Sequence, residues 1–400
     1  MLKKTLILSV LLIALDCSRV PFACAQQIKG PDKVSGDKTK QTLPAIEGSS
    51  ISSSRLALPF KRSWQYLTDS AATLPPTLDA LRIYLPLAAG RVVCLDLETG
   101  SLLWSTETGG VISAPVAVGD KAAYIVTRKT TEDGSDAGAL LRAVDKETGL
   151  TLWAKDYPRA YTSPLALARG RIYAGSADGS LYALASDTGE IIWKAETQDV
   201  VRGRALVTES AVYFGSDDGA LRGVDIEQGR EVLKFQTGGK IGGRPATDDR
   251  AIYFGSADGY VYALDLHTGK LRWRSRTGAA VEASPVIAGE MVLAASFDNF
   301  VYALSRANGD RVWKRRLEGR IIADPIVEGD ATLIAPHRGD YVAVFLNSDG
   351  RPVNYYQLER GTEIIAYPIF SGDRLLLATD KGLIVATAQP PTSRTNAVKK

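Results

Sequence analysis

The chain of 400 residues is short of the side chains that carry most protein chemistry. It holds two histidines (His267 and His337), two methionines and three cysteines. Two histidines leave almost nothing for histidine-based catalysis or a histidine zinc site, and neither stands in a serine or cysteine context that suggests a nucleophile. No Walker-type glycine loop and no Cys-x-x-Cys occurs, so the usual phosphate cradle and dithiol redox pair are missing. Charge of one sign is also scarce. A formal net charge of +3 gives no whole-protein field of the kind that gathers nucleic acid. Beyond the first residues no apolar run reaches eighteen, the length of a helical membrane span. What is plentiful is glycine, 37 residues, alongside 16 tyrosines and 6 tryptophans, a bias towards strands and turns. With 45% hydrophobic and 23% charged residues the composition is that of a soluble globular protein, which excludes a collagen-like fibre or wholesale disorder.

Residues 1–25 read as an export signal: Lys3 and Lys4, an apolar run from Leu6 to Leu15, then Ala23-Cys24-Ala25 ahead of Gln26. Cleavage before Gln26 is the first expectation. Lipidation at Cys17 or Cys24 is the alternative, although neither cysteine follows a well-formed lipoprotein box. Cleavage would leave Cys94 as the one cysteine, at a small buried strand position. Residues 26–58, rich in Ser, Thr, Lys, Asp, Gly and Pro, read as a flexible linker, and 391–400 as a disordered tail. The expected location is periplasmic or secreted, with outer-membrane association through lipid or partner.

Between residues 59 and 390 one unit repeats. Its plainest form is Ala263-Leu-Asp-Leu-His-Thr-Gly-Lys-Leu-Arg-Trp273, and its glycine recurs at Gly100, Gly149, Gly189, Gly229, Gly269, Gly309 and Gly350. The one long interval, from Gly100 to Gly149, coincides with an acidic insertion at residues 132–138 that reads as an exposed hairpin rather than a calcium loop. A second turn, Tyr-Phe-Gly-Ser-x-Asp-Gly, ends at Gly219 and Gly259, and Asp-Gly between alternating apolar runs signals a hairpin. Four short strands every forty residues are the blades of a β-propeller. Trp64 lies before the first repeat, while residues 364–388 supply three strands with no tryptophan strand after them. The N-terminal strand therefore completes the last blade, and the expected fold is an all-β, eight-bladed propeller. The recurring tryptophans are expected between adjacent blades, as structural residues.

The Ala-x-Asp-x-x-Thr-Gly-x-x-x-Trp phrase resembles the repeat of quinoprotein-like propellers, over residues 60 to 388. Two functional families share that repeat, PQQ-dependent dehydrogenases and the BamB family of outer-membrane barrel-assembly propellers, and the repeat itself does not separate them. The dehydrogenase resemblance would imply an adjacent cysteine pair, a calcium site, a catalytic aspartate and long insertions. This chain lacks the pair and the insertions, and its aspartates are mostly turn residues. Accordingly no catalytic residue, metal ligand or cofactor is expected. The BamB resemblance implies a protein partner, the POTRA domains of the barrel-assembly protein, contacted through a loop that corresponds to Asp199-Val-Val-Arg-Gly203. Val201 and Arg202 carry over as apolar and cationic contacts. Asp199 departs from the leucine of that pattern, and the acidic pair of the next blade falls on Lys240 and Gly242.

Read without any family, the same region stands out. The position before the inner-strand proline runs Ala114, Ser163, Arg204, Arg244, Ser284, Asp324, Tyr367 through blades two to eight. Two residues earlier stand Ile112, Tyr161, Arg202, Gly242, Glu282, Ile322 and Ile365. Period-two geometry predicts both sets on one strand face at one end of the central channel. The candidate partner-binding set is therefore Val201, Arg202, Arg204, Arg244, Glu282 and Asp324. Inter-blade ion pairs, a protein contact and a site for an anionic ligand such as a quinone or glycan all remain open for it.

Overall fold

The computed structural model describes residues 53–68, 70–131 and 133–389. These form eight antiparallel sheets, each ordered from an inner to an outer strand. The protein is an all-β, eight-bladed propeller. Blade five shows why the repeat folds this way. Its strands are Ala246–Thr247, Ala251–Gly255, Tyr260–Asp265 and Leu271–Arg276. The second strand is buried at every position and the third along most of its length, because each blade is covered on both faces by its neighbours. Gly259 closes the hairpin between them at φ +83°, and Asp258 holds it, accepting from the Tyr260 N–H at 3.1 Å and the Tyr262 hydroxyl at 2.6 Å. At the opposite end Asp265 accepts from the backbone N–H and hydroxyl of Thr268, at 2.9 and 2.8 Å.

The tryptophans join blades at the rim. A Cβ built on Gly229 would lie 2.6 Å from the Trp193 ring, and Gly309 meets Trp273 in the same way, so only glycine lets the indole lie on the turn. The indole N–H of Trp193 donates to the Ile226 carbonyl at 3.0 Å, and that of Trp273 to Arg306 at 2.9 Å. Each such ring carries roughly 150–250 Å² of surface into the seam.

Ring closure follows the expected strand exchange. Phe60–Leu67 pairs with Gly382–Ala388, so the two ends of the propeller share blade eight, and Trp64 lies over Gly100 of blade one. The insertion in blade two lengthens its central hairpin (Ala122–Thr130 with Asp136–Asp145) and adds a two-residue strand, Val111–Ile112. In that hairpin Asp133 is engaged by Thr131 and Ser135, which hold its carboxyl at about 2; Glu132 lies outside the described residues. Cys94 is buried opposite Trp104, and burial pushes its thiol up to about 12.

Two expectations need correction. Residues 53–58, read as linker, pack on blade seven, with Leu56 fully buried. Ser54 and Arg55 donate their N–H groups to Asp330 and Glu328 at 3.1 and 2.8 Å. The inner strands also start later than the residue pattern suggests. They begin at Leu206, Ala246, Val286 and Ile326, so the two residue sets singled out above sit in the bent segments leading into them, apart from Ile112 in the short strand of blade two. Tight packing of successive blades explains the late start: a Cβ on Gly203 would lie 2.8 Å from the Gly242 carbonyl. The signal peptide, most of the linker and the tail fall outside the described residues.

Candidate functional site: the channel and its rim

The bent inner segments of all eight blades enclose a cavity of about 880 Å³ on the ring's axis. Arg202, Arg204, Arg244, Glu282 and Asp324 all line it, so five of the six sequence-selected residues do converge. Val201 does not. Its side chain is fully buried, within 2.6 Å of where a Cβ on Gly175 would stand. Ile241 and Val281 do the same against Gly215 and Gly255, forty and eighty residues on. Val201 is thus a repeat core residue and offers no surface to a partner; the forty-residue period carried that signal.

At the rim, Arg202 donates from Nε to Asp217 Oδ2 at 2.8 Å, and Lys240 Nζ meets the same oxygen at 3.0 Å. The Asp217 side chain is 2% exposed, whereas Arg202 and Lys240 are 54% and 57% exposed. One buried carboxylate therefore fixes two half-exposed cations from adjacent blades, leaving an excess of one positive charge at the mouth. Asp217 escaped the sequence reading. Its signal was the variable place in Ser-x-Asp-Gly, which is acidic only in blade four, against Ala177, Ala257 and Phe297 elsewhere.

Deeper in, Arg204, Arg244 and Glu282 are exposed to the channel, while protein surrounds the channel they face. Enclosure holds the Arg204 guanidinium below its ordinary value, the like charge of Arg244 adds to that, and Asp324 opposes it. Arg244 is lowered by enclosure too. Burial raises the Asp324 carboxyl, against hydrogen bonds from Ser284 and the pull of both arginines. The Ser284 N–H donates to Asp324 at 2.6 Å, while the Arg244 N–H donates to the Ser284 hydroxyl at 2.9 Å. Among the described residues neither Arg204 nor Arg244 has a carboxylate oxygen within 4.0 Å, and neither guanidinium makes a hydrogen bond. Ion pairing with Asp217 of its own blade thus accounts for Arg202, but no ion pair accounts for these two. Tyr367 stands on the same lining, its phenol raised by burial and by Asp324 and Glu282.

The family model described as outer membrane protein assembly factor BamB matches residues 47–137, 136–239 and 231–399. The chain belongs to this family of PQQ-repeat propellers. Among solved structures it is similar to BamB from Moraxella catarrhalis, at 19% identity and a TM-score of 0.71, covering 83% of this chain and all of that one. It is also similar to the computationally designed Ika8 protein, at 17% identity and a TM-score of 0.69, over 81% of this chain and 98% of that one. Likeness to a designed protein underlines that such similarity speaks for the fold alone. No curated protein sequence matches the chain.

Proposed function

We propose that this protein is an exported, non-catalytic scaffold for outer-membrane β-barrel assembly, located in the periplasm or at the outer membrane, and that it binds the POTRA domains of a barrel-assembly protein. Membership of the BamB family supports the process. The observation that supports the contact is the Arg202–Asp217–Lys240 cluster, two half-exposed cations held in place by a buried carboxylate. Such a preset cationic pair loses little side-chain entropy on binding, and it favours an acidic surface on the partner. Arginine suits the role because its planar fork binds carboxylates through two hydrogen bonds. The contact rests on Arg202 and Lys240; Val201 has no part in it.

The test is titration of residues 26–400 with the POTRA array of the host's own barrel-assembly protein, beside Arg202→Glu and Arg202→Ala. Saturable binding that weakens about tenfold or more in both variants, with unchanged melting, supports the reading. Lack of binding at tens of micromolar, roughly the ceiling for a useful transient contact, overturns it for this partner.

A further inference from the structure

Below the rim, the channel carries charges that no group among the described residues neutralises at contact distance. Arg204 and Arg244 stand on adjacent blades four and five; Glu282 and Asp324 stand on blades six and seven. No pair among these four lies within 4.0 Å. Ser284 explains the separation, since it is hydrogen-bonded between the Arg244 backbone and the Asp324 carboxylate and holds blades five and seven one blade apart. Guanidinium and carboxylate groups kept in one enclosure without touching leave both signs of charge short of partners.

Three further features shape what fits there. The cavity, at about 880 Å³, is within the size range of small-ligand sites. Its other side, on blades one to three, is apolar, with the half-buried Leu78, Val118 and Leu167 in the lining. Finally, Gly242 opens a notch. At its level the neighbouring blades carry Arg202, Glu282 and Ile322, while a Cβ on Gly242 would meet only the Glu282 carbonyl, at 3.9 Å. Gly242 and Arg244 line the same cavity, two residues apart on blade five.

We infer that the channel binds a small zwitterion, an amino acid or short peptide with free termini, placing its carboxylate on Arg204 and Arg244, its ammonium on Glu282 and Asp324, and its apolar side chains against blades one to three. A simple anion would satisfy the arginines but face two carboxylates across the same ring. A ligand with both charges satisfies all four groups, and its overall neutrality limits the desolvation cost. The rim cations Arg202 and Lys240 take no part, so this inference stands or falls apart from the scaffold reading.

Calorimetric titration of the unmodified protein with the tripeptide Ala-Leu-Ala tests it, beside the same peptide amidated at its C terminus or acetylated at its N terminus. The free peptide is expected to bind with Kd on the order of 1 mM or tighter, and each cap to weaken binding about tenfold or more. Arg204→Gln with Arg244→Gln should abolish binding of the free peptide. Gly242→Ile, which restores the side chain that Ile322 supplies on blade seven, should weaken it while leaving the melting curve intact. Lack of binding by the free peptide at 10 mM, roughly ten times that Kd, overturns the inference. So does equal binding of either capped form, or binding that survives the double arginine variant.

Discussion

Six seams between blades are closed by one device, whereas the seam between blades seven and eight is closed by another. In the six, a tryptophan from the outer strand of one blade lies on the turn glycine of the next, from Trp64 on Gly100 round to Trp313 on Gly350. Blade eight cannot offer that turn. Its outer strand arrives from the N terminus, so no Asp-x-x-Thr-Gly turn joins it to the strand before. The segment before that strand fills the place instead. Leu56 packs with Leu333, Val344, Leu375 and Leu377, and the Asn354 side-chain amide donates to the Leu56 and Leu58 carbonyls at 2.9 and 2.6 Å. Closing a ring by strand exchange removes a repeat element at the join, and non-repeat sequence has to replace it. The seam between blades four and five is a third case: Leu233 stands near Gly269 where a tryptophan stands elsewhere.

The largest effect comes from breaking the join itself. A chain starting at residue 68 leaves blade eight with three strands and Gly100 without its indole. It is expected to elute as aggregates and to show no cooperative melt, since an open ring exposes two apolar faces. A chain starting at Pro59 keeps the strand and loses only the strap; it should fold, with stability lower by about 2–5 kcal/mol, as for loss of a buried leucine. Equal denaturant midpoints for this chain and for residues 26–400 would show that the strap carries no load.

Next in size is the contrast among rim contacts. Trp273→Ala should cost about 3–5 kcal/mol and Leu233→Ala nearer 2, because leucine fills less of its seam and makes no hydrogen bond there. Chemical denaturation of the two variants checks the order; the reverse order would mean that seam strength does not reside in the indole.

The smallest effect concerns acid. Blade four differs from its neighbours in a second way. Arg222 stands where Tyr182, Tyr262 and Tyr302 stand, and it grips Asp218 through two bonds of 3.0 and 2.7 Å, both side chains being buried. Burial raises the Asp218 carboxyl, but Arg222 and the backbone N–H groups outweigh it, and the net shift is downward from 3.8. A carboxylate lowered on folding contributes stability that is whole above its unfolded value and is lost as pH falls through the folded one. Melts taken from pH 5 downwards should therefore lose stability below about pH 4, and Asp218→Asn should flatten that part of the curve. An unchanged acid limb in Asp218→Asn would place the sensitivity in another blade.

Much of this was legible in the residues, for a physical reason. A propeller repeats its local chemistry, so Asp265, Thr268, Gly269 and Trp273 each announce a turn or a dock before any coordinates exist. Trp64, stranded ahead of the first repeat, announced the closure in the same way. Val201 shows the limit: next to Arg202 it looked like a surface pair, and only its packing against Gly175 reveals a core position. Strap residues Ser54 to Leu58 were illegible because their composition is that of a linker. Their order comes from Asp330, Glu328 and Asn354, some three hundred residues away.

By itself, then, the sequence determined the all-β class, the number of blades and the strand that closes the ring, because those follow from short-range turn chemistry repeated at a fixed period. The tertiary structure decided which charges meet. Arg202 finds a buried carboxylate and Lys240 joins it, while Arg204 and Arg244 are left lining the same channel as Glu282 and Asp324 without touching them. Distances between blades depend on how far Ser284 and the glycines at 203 and 242 let neighbouring segments approach, and no period in the chain encodes that.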